Sequence, residues 1–60
     1  MQQTRSYNLV ELYCEVEHET EKAILVAVED KRVWLPKSVV ELEDDMVILP
    51  EWLAFEKGLI

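Results

Sequence analysis

Glycine, cysteine and histidine each occur once in this chain of 60 residues, as Gly58, Cys14 and His18. A single glycine excludes a glycine-rich phosphate loop or a dinucleotide fingerprint, which need several. A single cysteine excludes an internal disulfide. With one cysteine and one histidine, the common zinc cages cannot be assembled within one chain. A Ser-His-Asp or Cys-His relay would have to pass through His18. So small a stock of catalytic groups predicts a protein that is not an enzyme and holds neither cofactor nor metal.

Basic residues are also scarce, with six Lys and Arg against 13 Asp and Glu, a net charge of −7. This opposes direct nucleic-acid binding, which relies on Lys and Arg at phosphates, and binding to anionic membrane surfaces. Long apolar runs are missing. The longest, Ala23 to Val28, falls far short of the roughly 20 residues that span a bilayer. The start, Met1-Gln2-Gln3-Thr4-Arg5-Ser6, is polar and lacks the apolar core of a signal peptide. These features predict a soluble cytoplasmic protein, and a lone thiol agrees with a reducing compartment. The acidity keeps a small protein soluble; it also suits a basic protein partner or imitation of a polyanion.

Apolar residues, in contrast, make up half of the chain. A domain this short buries only about 60% of the surface its unfolded form exposes, and its core rarely supplies more than about 3–5 kcal/mol unaided. Without a disulfide or metal, the remaining staple is association. The composition therefore predicts one domain over residues 1–60, with residues 1–7 as a flexible N-terminus, that forms a homo-oligomer or binds a partner tightly.

Strand patterns fill the first three quarters. From Leu9 to Thr20, Val10, Leu12, Cys14 and Val16 alternate with Glu11, Tyr13, Glu15, Glu17 and Glu19, the period of a half-buried strand. His18-Glu19-Thr20-Glu21 is expected to turn. Lys22 to Glu29 follows, apolar on both faces, as a central strand covered on both sides. One cover would be the C-terminal helix and the other a second subunit. Glu29-Asp30-Lys31-Arg32 reads as a hairpin turn, although it lacks the usual glycine. A third strand starts at Arg32 and bends at Pro36, which cannot donate to a central ladder. The chain then resumes at Val39, turns at Glu43-Asp44-Asp45, and forms a last strand from Met46 to Leu49. Pro50 opens a helix over residues 50–58 at the position where its missing amide hydrogen costs nothing. Trp52, Leu53 and Phe55 would dock it on the sheet, with Gly58 as its left-handed cap and Leu59 folding back. The fold class is α+β: an antiparallel sheet of about four strands, barrel-like in outline, with one short C-terminal helix.

Four features carry possible chemistry. Glu17-His18-Glu19 with Glu21 gathers metal-ligand types, but alternation on a strand sends the glutamates away from His18, which reads as a turn residue. Cys14 sits between Leu12 and Val16 and reads as core. Glu11, Glu15, Glu17 and Glu19 form an acidic ladder in which residues i and i+2 are roughly 6.6–6.8 Å apart. That spacing is close to the phosphate repeat of a nucleic-acid strand, and such a ladder suits a basic protein surface. It is equally the wet face of an edge strand that resists aggregation. Arg32, Trp34, Lys37 and Ser38 surround one bend, where two cations, an indole and a hydroxyl could hold a small anion or nucleotide. The simpler account places Trp34 in a core or interface and Lys37 and Ser38 in a turn. Leu25, Trp34 and Trp52 are the candidates for an oligomer or partner interface.

Ala23-Ile24-Leu25-Val26, Val33-Trp34-Leu35-Pro36-Lys37-Ser38, and Leu49-Pro50-Glu51-Trp52-Leu53-Ala54 with Lys57-Gly58-Leu59 together resemble a group of very small proteins encoded by bacteriophages, prophages and other mobile elements. The resemblance spans Lys22 to Ile60. It departs at the central hairpin, where Asp30-Lys31 replaces the glycine such proteins often carry, and no functional residue carries over. It implies an accessory protein of the bacterial host cytoplasm that acts by binding, against host defence or nucleic-acid machinery.

Overall fold

A computed structural model of the chain describes residues 8–60; the expected flexible segment 1–7 lies outside the described residues. The architecture is α+β, with six strands and one helix among the described residues. These are β1 (Leu9–Tyr13), β2 (Glu15–Glu19), β3 (Ala23–Val28), β4 (Lys31–Pro36), β5 (Glu41–Glu43), β6 (Met46–Pro50) and α1 (Glu51–Glu56). The expected single sheet of about four strands is replaced by two antiparallel sheets of three strands, ordered β1-β6-β5 and β2-β3-β4. The two sheets do not close into a barrel.

The extra sheet arises at Cys14. Leu9 to Glu19 alternates without interruption, yet β1 pairs with β6 and β2 pairs with β3. Between them, the Cys14 amide donates to the Asp45 carbonyl at 2.9 Å. That bond keeps the corner residue on the first sheet as the chain crosses to the second. Alternation reports which residues face inward, and it is blind to which strand lies alongside.

One apolar cluster fills the space between the sheets. Ile24, Val26, Val28 and Leu35 come from one sheet, Val47 and Leu49 from the other, Val40 from the connection between them, and Leu53 and Ala54 from the helix. Val10, Leu12, Cys14, Val33 and Leu59 pack against it. Among the described residues no polar or charged side chain is buried. β3 is the central strand expected, with Ile24, Val26 and Val28 buried and Ala23, Leu25 and Ala27 half-buried. Its outer side, assigned above to a second subunit, is crossed by the chain's own side chains from β2 and β4.

Two of the three hairpins, β3–β4 and β5–β6, use two-residue loops. Val28 pairs with Lys31 and Glu43 with Met46, leaving Glu29-Asp30 and Asp44-Asp45 as the loops. The hairpin turn is thus one residue earlier than Asp30-Lys31. Glu29 and Asp44 adopt φ of 57° and 56°, the left-handed conformation such tight loops demand and glycine most readily provides. The β2–β3 connection is Thr20-Glu21-Lys22, later than expected. The Thr20 hydroxyl oxygen accepts from the amides of Ala23 (3.1 Å) and Lys22 (3.4 Å).

The helix is shorter than residues 50–58. Pro50 ends β6 and stands at the N-cap, with no side-chain cap. The Glu51 amide instead donates to the Asn8 carbonyl at 2.8 Å, continuing the β1–β6 ladder into the helix. At the other end, the Gly58 amide bonds the Phe55 carbonyl (3.1 Å) and the Leu59 amide bonds that of Ala54 (2.8 Å). This pair of bonds is the Schellman motif. Docking through Trp52 and Phe55 is not observed: Leu53 and Ala54 are buried, whereas Trp52 and Phe55 are 52% and 74% exposed. Six helical residues give under two turns, so the direction in which Pro50 launches the chain decides the buried face.

Gly58 has φ of 76°, and an added Cβ would meet only the Lys31 Nζ, at 3.7 Å. Gly58→Ala should therefore cost backbone strain alone, about 1–2 kcal/mol. Urea unfolding should show a lower midpoint at an unchanged m-value.

Candidate functional site

Direct cross-strand partners share a face of a sheet, so the register assigns every candidate residue. On the outer side of β2-β3-β4, Trp34 pairs with Leu25 and Arg32 with Ala27, and His18 pairs with Leu25 from the opposite edge. A bulge between Val16 and His18 makes this possible. Without it, Glu17 would oppose Leu25 and His18 would turn toward the core. The extra residue brings the His18 ring edge-on to Trp34, with centroids 6.0 Å apart and planes at 87°. His18 therefore belongs to a strand rather than a turn.

Two ion pairs join the edges of this sheet across β3. Arg32 Nε lies 2.9 Å from Glu17 Oε1, and Lys37 Nζ pairs with Glu19 at the sheet end. The Arg32 side chain is 70% exposed, so solvent screens the pair and it adds little stability. Its effect is on charge, since Glu17 and Glu19 already hold cations of their own chain.

The four residues considered for an anion do not converge. Arg32 lies near the start of β4 and Lys37 just beyond its end, a separation of roughly 16 Å at about 3.3 Å per residue. Ser38 follows in the turn. Trp34, 43% exposed, stands between them over Leu25. The interface candidates divide likewise: Leu25 and Trp34 share this face, whereas Trp52 belongs to the other sheet's side, where it lines a groove with Leu9 and Pro50.

The acidic ladder is also divided. Glu15, Glu17 and Glu19 lie in β2, while Glu11 lies in β1 and pairs with Ile48 of β6. Ile48 pairs on its other side with Glu41. Met46 is similarly flanked by Tyr13 and Glu43. The outer face of β1-β6-β5 thus has an apolar column, Met46 and Ile48, bordered by Glu11, Glu41 and Glu43. Its three strands contain no Lys or Arg, and among the described residues these three carboxylates have no ion-pair partner. Leu9 and Tyr13, 62% and 72% exposed, complete the face. Glu41 and Glu43 were absent from the candidates read from sequence, although Glu41-Leu42-Glu43 carries the strand alternation that could have exposed them.

Cys14 is half-buried. Burial pushes its thiol above the ordinary 9.0, and the nearby Asp45 carboxylate pushes it further. Among the described residues no group of three or more His, Cys, Asp or Glu is placed to hold a metal ion, and no helix is long and apolar enough to cross a membrane. Comparison with protein-family models, curated proteins and solved structures finds no match to this chain.

A raised thiol pKa means the folded state holds the proton more tightly. Stability from this group is complete below the unfolded thiol's pKa and falls as pH rises through the folded value. Alkylation of Cys14 by iodoacetamide should have its half-maximal rate above pH 9.0 and run slower at pH 8 than that of free cysteine, because only the thiolate reacts.

Proposed function

We propose that the chain is a non-catalytic binding protein whose acidic, partly apolar sheet face engages a protein with a basic surface. The observation carrying this reading is the column of Met46 and Ile48 bordered by Glu11, Glu41 and Glu43. Apolar area supplies affinity once water is excluded. Carboxylates that pair with no cation among the described residues keep their field for a partner, speeding encounter and rejecting polyanions. Glu17 and Glu19 are less suited to that task because Arg32 and Lys37 neutralise them. The likeness to small mobile-element proteins supports an accessory role in the bacterial host cytoplasm, with a defence or nucleic-acid-processing protein as target.

The second reading, a homo-oligomer that sequesters a small anionic or nucleotide ligand through Arg32, Trp34, Lys37 and Ser38, draws support from the exposed Trp34 beside Arg32. It is less favoured, because each cation would have to leave its carboxylate and the two lie at opposite ends of β4.

A photo-crosslinking residue in place of the exposed Tyr13, in bacterial cells, should give discrete adducts with one or a few basic proteins. The triple variant Glu11→Lys, Glu41→Lys, Glu43→Lys should weaken capture at least about tenfold, as three rim charges at roughly 0.5 kcal/mol each imply. Arg32→Ala and Lys37→Ala should leave it unchanged. Adducts that persist in the triple variant and vanish with Arg32→Ala would overturn the proposal in favour of the second reading.

A further inference from the structure

The acidic face ends in a groove where β6 passes into α1. Leu9, Ser38, Val39, Pro50 and Trp52 line it, and it encloses about 390 Å³, toward the small end of ligand-sized clefts. Its position follows from the register. Leu9 pairs with Pro50, and Trp52 follows two residues later in a helix that turns Leu53 and Ala54 into the core. Scattered exposed apolar residues are ordinary on any surface. Here Leu9, Val39 and Trp52, all exposed, converge on one hollow.

Charge selects among the possible occupants. An adjoining hollow, lined by Leu9, Val39 and Ile48, also contains Glu41. Glu51 precedes Trp52 in the helix and is exposed. Lys37 lines the same hollow but is paired with Glu19. A second copy of this chain would bring its own Glu41 and Glu51 against these carboxylates, and nucleic acid would bring phosphates. Like charges across a contact are unfavourable in both cases. A cationic segment meets the opposite situation. The volume suits one large side chain better than the whole face of a helix.

We propose that this groove seats a single large apolar side chain, of the Leu or Phe type, from a lysine- or arginine-rich segment of the partner. The inference rests on the acidic-face reading above and adds to it the anchor, with Trp52 as one wall. Such an aromatic wall around a desolvated side chain is the usual site of concentrated binding energy in an interface. The flanking cations of the segment would lie over Glu51 and over Glu11 and Glu41 beside Ile48.

The test uses the full chain, labelled with nitrogen-15, and a synthetic peptide of sequence Lys-Lys-Leu-Phe-Lys-Lys blocked at both ends. Resonances of Leu9, Val39 and the Trp52 indole should shift on titration. Trp52→Ala and Val39→Ser should each raise Kd at least tenfold, whereas Trp52→Phe and Trp34→Ala should leave it within about threefold. Both altered groove positions are exposed, and the thermal midpoint of each variant verifies folding. Peptides with Ala for Leu-Phe, or with Glu for Lys, should fail to bind. Shifts centred on Trp34 and Leu25, or an unchanged Kd in Trp52→Ala, would overturn the groove. So would groove resonances that move with the chain's own concentration, since a second copy would then be the occupant. If Glu11→Lys, Glu41→Lys, Glu43→Lys abolishes peptide binding while Trp52→Ala preserves it, the groove fails and the acidic-face reading stands. If neither variant matters, both fail.

Discussion

Apolar packing between the inner sides of β3 and β6 is the constraint on which the rest depends. Ile24, Val26 and Val28 on one strand and Val47 and Leu49 on the other belong to one buried cluster. Each strand is the middle member of its sheet, so the remaining four strands are arranged around this pair. With so short a chain there is no material for a second core. The helix closes the cluster with Leu53 and Ala54, and the β4–β5 connection closes it with Val40. Among the described residues no polar or charged side chain is buried in this core, so no side-chain charge has to be desolvated there, which suits a domain whose margin of stability is small.

The same economy leaves outer faces uncovered, and the two sheets treat theirs differently. The β2-β3-β4 face is largely self-satisfied. Its central apolar row is crossed by the Arg32–Glu17 pair, and His18 meets Trp34 above Leu25. Among the described residues the β1-β6-β5 face has no comparable straps, because its strands contain glutamates and no cations. Net charge therefore understates the asymmetry. The acidic excess is concentrated where apolar side chains are also exposed, and the binding role proposed above rests on that coincidence.

Much of the secondary structure was legible in the sequence because alternation and chain-breaking residues are local. The two-sided apolar run of β3, the turn at Asp44-Asp45, the end of β4 at Pro36 and the Gly58 cap all follow from neighbours in the chain. The second sheet was not legible. Leu9 to Glu19 keeps its period through the Cys14 corner, so nothing local marks the change of partner. The Glu17 bulge is likewise a matter of pairing, and it moves His18 from one side of the strand to the other. The division of the acidic ladder follows from both. Trp52 and Phe55 were misplaced for a different reason: size and apolarity argued for burial, but a helix of under two turns has room to bury only one narrow face, and Leu53 with Ala54 occupies it.

The pairing of β1 with β6 also sets an order of events in folding. The β3–β4 and β5–β6 hairpins close across two residues each, and such local contacts form quickly. β1 must wait for a partner that begins at Met46, more than thirty residues along the chain, and non-local pairings of this kind bear the larger loop-closure cost. Until it arrives, β6 presents an unpaired edge next to an apolar column, and the helix lacks the Asn8 carbonyl that receives its first amide. Docking of β1 thus completes the edge, the helix start and the Leu9 wall of the groove in one step, so the surface proposed for recognition is assembled only once β1 is in place.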